Sequence, residues 1–276
     1  MQNQQHQPGQ KVGTTRHTLR FDGQIAIVTG AGQGVGRATA LRLANEGAQL
    51  VLVDRAADPC NEVKAEIENA GGVALALNLD MEHHDGAKEM VRQAIARFGR
   101  IDVSVHNVGG TIWAKPFWEY SAEEMTSEIA RSLWPTLWSC REVIPVMRAQ
   151  QHGAIVNVGS IATRGVHRVP YSASKGGVHA ATVCMAMELG ESGVRINCVS
   201  PGALDNGVRV TPRNSDNLSL QEKQWMDVVY TQSMRDTPMN RLGSAEEIAA
   251  AICFYAAPEA SYITGQIMYV AGGGIG

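Results

Sequence analysis

The chain has 276 residues, and 44% of them are apolar against 18% charged, the balance of an ordinary soluble domain. Net charge is -3, from 24 basic and 27 acidic residues with no Lys/Arg tract, which argues against nucleic acid and anionic membranes as partners. No apolar run reaches the ~18 residues of a membrane-spanning helix, and the polar N-terminus is no secretory signal. The five cysteines, Cys60, Cys140, Cys184, Cys198 and Cys253, form no CxxC and read as buried free thiols of a reducing cytoplasm. The eight histidines show no metal-ligand spacing, so no metal is expected; His83 and His84 read as a solvated helix start.

Residues 1–20 are polar, rich in Gln and aperiodic, and read as a flexible tail. From Phe21 onward short apolar runs alternate with helical periodicity. Strands are predicted at Gln24–Thr29, Gln49–Val53, Val73–Leu79, Ile101–His106, Ala154–Val158, Arg195–Val199 and Ile267–Val270. Helices are predicted at Gly36–Glu46, Pro59–Ala70, Gly86–Phe98, Ser121–Arg148, Tyr171–Leu189 and Ser244–Ala256. Ser121 with Glu124 and Ser244 with Glu247 form capping boxes, and Pro135 should kink its helix. Pro201–Arg241 reads as one long irregular segment, a lid or binding loop. Unbroken Val/Ile/Leu strands joined by helices imply an α/β fold. It is one domain over residues 21–276, built on a doubly wound parallel sheet of about seven strands.

Glycine is the compositional outlier, with 29 residues clustered where strands end. The first strand runs into Thr29-Gly-Ala-Gly-Gln-Gly-Val-Gly36, and a helix opens there. Gly30, Gly34 and Gly36 allow a tight turn and close approach of backbone amides to a pyrophosphate at a helix N-terminus. The acid expected at the end of the second strand is Asp54, suited to ribose hydroxyls and repulsive to a 2′-phosphate, so NAD is favoured over NADP. Arg55 beside it works the other way, and a helix cap is the plain alternative for Asp54. Asp80, after the third strand, can take the adenine amino group. Asn107, after the fourth, can hold ribose or join strands, while Gly109 and Gly110 leave room for a cofactor.

The fifth strand ends at Ser160, and Tyr171 and Lys175 follow at helical spacing i and i+4. A cation one turn from a phenol favours the charged phenolate, and Ser160 can hydrogen-bond a substrate oxygen. Such a group moves a proton to or from an alcohol or ketone. An amphipathic helix start would also carry Tyr171 and Lys175, but the neighbouring nucleotide motif favours chemistry.

Together the glycine motif, Asn107-Val-Gly, Ser160, Tyr171-xxx-Lys175 and Pro201-Gly202 resemble the short-chain dehydrogenase/reductase family over residues 21–276. The resemblance implies a Rossmann fold, a nicotinamide cofactor and a homotetramer. It places Gly30, Gln33, Gly34, Val35, Gly36 and Asp54 against the cofactor. Leu79, Asp80, Asn107, Gly109, Tyr171, Lys175, Pro201 and Gly202 join them there. Aligned on Pro145, Ser132 stands where the family often has a catalytic Asn, and His106 replaces another common Asn.

Two segments, Asn107–Tyr120 and Ser160–Gly177, are further similar to the cis-dihydrodiol carboxylate dehydrogenases of benzoate and toluate degradation. The implied substrate is a small ring diol acid, a 1,6-dihydroxycyclohexa-2,4-diene-1-carboxylate, and the implied products are a catechol, carbon dioxide and NADH. Sister enzymes of the p-cumate type keep the carboxylate, and a general NAD-dependent alcohol or keto reductase is the broader alternative. Ser160 and Tyr171 would hold the substrate oxygen. Arg164, His167 and Arg168 lie between Ser160 and Tyr171, and the irregular segment supplies Arg209 and Arg213. Arginines grip a carboxylate through paired hydrogen bonds; Arg164 and Arg168 are the favoured candidates, and solvated loop charges are the plain alternative. Trp113 and Phe117 are candidates to face the ring, whereas Trp118 reads as packing.

Overall fold

A computed structural model describes residues 19–205 and 218–276. Seven strands form one parallel sheet. They are β1 (Ile25–Thr29), β2 (Gln49–Asp54), β3 (Ala74–Asn78), β4 (Val103–His106), β5 (Gly153–Val158), β6 (Val194–Pro201) and β7 (Ile267–Val270). Their order is β3-β2-β1-β4-β5-β6-β7, so the chain reverses direction across the sheet between β1 and β4. The expected doubly wound sheet is present.

The helices are α1 (Gly34–Asn45), α2 (Ala57–Asn69), α3 (His84–Phe98), α4 (Ala122–Ser132), α5 (Trp134–Gln150), α6 (Val169–Leu189), α7 (Leu220–Arg235) and α8 (Ala245–Ala256). Alternate residues of each central strand serve opposite layers. On β1 and β2, Ala26, Val28, Leu50 and Leu52 join the core under α1, α2 and α8, with Leu43, Ile248 and Ile252. Ile25, Ile27, Val51 and Val53 join the other core, with Met90 of α3, Val143 and Met147 of α5 and Leu189 of α6. Burial on both faces is why these strands read as unbroken apolar runs.

Four expectations change. The single helix over 121–148 is two. Leu133 keeps the helical bond from its N–H to the Ile129 carbonyl at 2.9 Å, but its backbone swings to φ -115, and a new helix starts beyond it with Pro135 in the first turn of α5, where the missing N–H costs nothing. Pro145 then lies inside α5. The segment 201–241 is not wholly irregular: α7 occupies sixteen of its residues, opened by a capping box of Ser219 and Glu222. Arg20, assigned to the tail, is clamped to Glu46 at 2.6 Å. His83 and His84 do start α3, and His83 is exposed, but His84 is half-buried: its Nε2 lies 2.6 Å from Glu142 Oε1 and its ring packs 4.8 Å from that of Trp138. Of the cysteines four are buried and Cys184 is exposed.

The amino ends of β1, β4 and β5 are tied by Asp102. Its buried carboxylate accepts from Ile25 N–H at 2.9 Å and from Arg100 Nε at 3.0 Å, and its carbonyl accepts from Ala154 N–H at 2.9 Å. Removing the carboxylate leaves a buried N–H without its partner. Asp102→Ala should therefore lose about 1–3 kcal/mol in denaturant unfolding. Nucleotide affinity should be unchanged, since the site lies at the opposite ends of the strands.

Candidate active site

The carboxyl ends of the strands open into one cavity of about 470 Å³. It begins at the β1–α1 turn, where Gly30 has φ 64 and Gly34 φ 53. A Cβ on Gly36 would fall 1.9 Å from the Gly30 carbonyl oxygen, so only glycine lets α1 start this close to the turn. The first turn of α1 holds no acidic residue. Its amide groups and dipole are thus left for an anion. The cradle fits a dinucleotide pyrophosphate.

Next along the crevice stands Asp54. Its Oδ2 accepts from Gly32 N–H and its Oδ1 from Ala56 N–H, both at 3.0 Å. The carboxylate is not the helix cap of the alternative reading, since Ala56 stands at that position of α2 without a side-chain cap; it is a charge held on the cavity wall by two backbone amides. Arg55 turns toward Glu82 at 3.6 Å, and Glu82 also pairs with Arg131. Asp80 lines the cavity with Leu79 and accepts from Glu82 N–H at 2.9 Å. Asn107 lines the cavity, and it joins strands by donating from Nδ2 to the Gly30 carbonyl at 3.3 Å and from its N–H to Thr29 Oγ1 at 3.0 Å.

The reactive end is built by β5 and α6. Ser160 caps a 3₁₀ turn at Ile161–Arg164, with Oγ accepting from Ala162 N–H at 3.0 Å. That bond uses a lone pair and leaves the O–H able to donate. Lys175 is 3% exposed, and its Nζ donates to the Val158 carbonyl at 2.7 Å. Gly109, at φ 149, makes this possible, because a Cβ there would sit 3.0 Å from Nζ. Tyr171 stands one turn before Lys175, buried at its base and facing the same cavity.

Gln33, Val35, Pro201 and Gly202 also line the cavity, as does Arg168. Arg168 Nε is buried without a hydrogen-bond partner, and burial works against the guanidinium charge, with Tyr171 and Tyr120 close enough to offset it. Gly36 acts behind the wall. Ser132 does too: it is fully buried and its Oγ accepts from Gly110 N–H at 3.2 Å. Two substrate candidates do not line the cavity. Arg164 is exposed and outside the cavity, because the 3₁₀ turn points it to solvent. Trp113 is half-buried and also outside it; its N–H is held by Glu128 at 2.9 Å and its carbonyl by the Tyr120 hydroxyl at 2.8 Å. Phe117 and Trp118 are exposed. His167 lends its carbonyl to Lys115 N–H. Arg209 and Arg213 lie outside the described residues.

The sequence reading missed one wall. Met226, Val229, Tyr230 and Ser233 of α7 face the cavity. Their spacing of i, i+3, i+4 and i+7 behind the Ser219 capping box was the available signal.

Among the described residues no three His, Cys, Asp or Glu gather to hold a metal, and no helix is long and apolar enough to cross a membrane.

The short chain dehydrogenase family profile matches residues 24–217. The chain belongs to that family. It is 50% identical over 256 residues to the 1,6-dihydroxycyclohexa-2,4-diene-1-carboxylate dehydrogenase of Acinetobacter baylyi, covering 93% of this chain and 98% of the relative. It is 46% identical to the enzyme of the same name from Pseudomonas putida, over 93% and 94% of the two chains. A crystal structure of NAD+-bound xylitol dehydrogenase superposes with a TM-score of 0.81 at 26% identity, over 92% of this chain and 99% of that one. The chain is thus an oxidoreductase of a nicotinamide-dependent family.

Behind the cavity floor, His106 is fully buried between Ser104 Oγ and Asn157 Oδ1, each 2.9 Å from a ring nitrogen. Asn157 Nδ2 donates to Thr182 Oγ1 at 2.9 Å, so Oδ1 is the acceptor and Nδ1 carries the ring proton. Burial pushes the His106 pKa down to about 4 from 6.5. The folded protein then binds fewer protons here than the unfolded chain below pH 6.5. Stability from this group is full above pH 6.5 and is lost as pH falls toward 4. His106→Asn should flatten that acid limb, by up to about 3 kcal/mol in denaturant unfolding between pH 6.5 and 4.

Proposed function

We propose that the protein oxidises a 1,6-dihydroxycyclohexa-2,4-diene-1-carboxylate to a catechol with loss of carbon dioxide, using NAD. The observation that carries the reading is Arg168, a buried guanidinium with an unpartnered Nε on the wall it shares with Tyr171. A cavity that takes a neutral alcohol gains nothing from such a group, whereas a ring acid supplies its missing acceptor. The names of the relatives support the same substrate class.

The nucleotide would lie along the strand ends, its pyrophosphate on the Gly30–Gly36 turn and its adenosine ribose on Asp54. The fixed Asp54 charge disfavours a 2′-phosphate, and Arg55, drawn to Glu82, is directed away from compensating it. This supports NAD over NADP.

A nicotinamide held at the reactive end would supply the acceptor for the hydride of the carbinol carbon. Tyr171 takes the proton of the secondary ring hydroxyl, with the Lys175 ammonium one turn away stabilising the phenolate. Ser160 donates to the same oxygen. Arg168 holds the carboxylate so that the carbinol, rather than the tertiary hydroxyl, meets Tyr171. The ketone formed lies β to the carboxylate, so the C–C bond electrons pass into the carbonyl as carbon dioxide leaves and the ring becomes aromatic. No separate acid or base is needed for that step.

Incubation with NAD and the diol acid should release NADH and trapped carbon dioxide in equal amounts. NADH without carbon dioxide would instead indicate an enzyme that keeps the carboxylate. Tyr171→Phe should lower turnover by about 10²–10⁴-fold while NAD still binds; unchanged turnover removes Tyr171 from this role.

A further inference from the structure

The placement of Arg168 depends on groups outside the cavity. A long guanidinium side chain loses rotamer freedom when it binds a ligand, so holding it in advance favours recognition. Here the guanidinium rests on Gly165, where a Cβ would come within 2.9 Å of Nη2 and 3.1 Å of Nε. One side chain fixes the backbone on both sides of that glycine. Val166 N–H donates to Gln232 Oε1 at 2.9 Å, and Gln232 Nε2 donates to the Arg164 carbonyl at 3.1 Å. The next residue, His167, has φ 58, a region that non-glycine residues rarely adopt. Its carbonyl accepts from Lys115 N–H at 2.8 Å and from the Tyr120 hydroxyl at 3.2 Å. Arg168 follows at once, so its platform is held from two sides.

Gln232 belongs to α7, whose only buried residue is Val229. Apolar packing therefore contributes little to fixing this helix, and the paired amide bonds join the cavity wall to the arginine loop.

We propose that Gln232 is a positioning residue for carboxylate recognition. It fixes the Arg164–Val166 backbone on which the Arg168 guanidinium lies, and through Arg168 it makes the cavity selective for an acid. This rests on the reading of Arg168 as the carboxylate ligand.

The test is steady-state kinetics with NAD and the diol acid on Gln232→Leu, Gly165→Ala and Arg168→Met. Gln232→Leu should raise KM for the diol acid about tenfold, the scale of one hydrogen bond, with kcat within about twofold and KM for NAD unchanged. Gly165→Ala should give the same pattern, because the added methyl displaces the guanidinium directly. A Gln232 variant that lowers kcat and raises both KM values would show general loosening and overturn the proposal, as would an unchanged KM. Arg168→Met separates the two readings. If it leaves KM for the diol acid unchanged, the carboxylate assignment itself fails. If it raises KM and Gln232→Leu does not, only the role of Gln232 fails.

Discussion

A lysine ammonium taken out of water is costly unless an oxygen replaces its hydration. Lys175 meets that requirement with the Val158 carbonyl, the last residue of β5, at 2.7 Å. The bond fixes the register of α6 against the sheet edge, and two other placements follow from it. Ser160 lies two residues beyond Val158, and Tyr171 lies one turn before Lys175 on the same helix face. Gly109, just beyond β4, is the complementary constraint, since any side chain there would enter the space of the ammonium. One hydrogen bond thus joins the strand that presents the serine to the helix that presents the phenol.

The cavity built around that bond carries opposite charges at its two ends. Asp54, anchored by two backbone amides, sits on the nucleotide side. Arg168, with its unpartnered Nε, sits beside Tyr171. In the proposed reaction the first disfavours a phosphorylated ribose and the second recruits a ring acid, so both ends contribute selectivity by charge. The two charges are placed differently: Asp54 by hydrogen bonds to its own carboxylate, Arg168 by resting on Gly165, whose flanking backbone is held by Gln232.

What could be read from the residues divides along a physical line. Strands buried on both faces announce themselves as apolar runs, and the turn from Gly30 to Gly36 could be read because steric exclusion leaves one residue type at each point. Tyr171 and Lys175 were legible because a helix converts a spacing of four into a shared face. The break at Leu133 was not, since Pro135 suits a helix start as well as a kink, and only the course of the chain decides. Arg164 and Arg168 look alike in sequence; the first ends the 3₁₀ turn and is exposed, while the second stands at the start of α6 and lines the cavity. Helix α7 was missed because its apolar stripe covers a cavity rather than a core, so Met226 and Tyr230 stay partly exposed and the stripe is interrupted by polar residues. The links from Gln232 to residues 164–166 span more than sixty positions, and nothing local in the sequence encodes them.

The most direct test of this account is the Lys175→Met variant, similar in length and lacking the charge. Turnover of the diol acid should fall by about a hundredfold or more, and NAD should bind more weakly, while the thermal unfolding midpoint drops by only a few degrees, the scale of one lost buried hydrogen bond. A variant that oxidises the substrate at close to the original rate would contradict the account, because the ammonium would then be dispensable to the proton transfer it is placed to support.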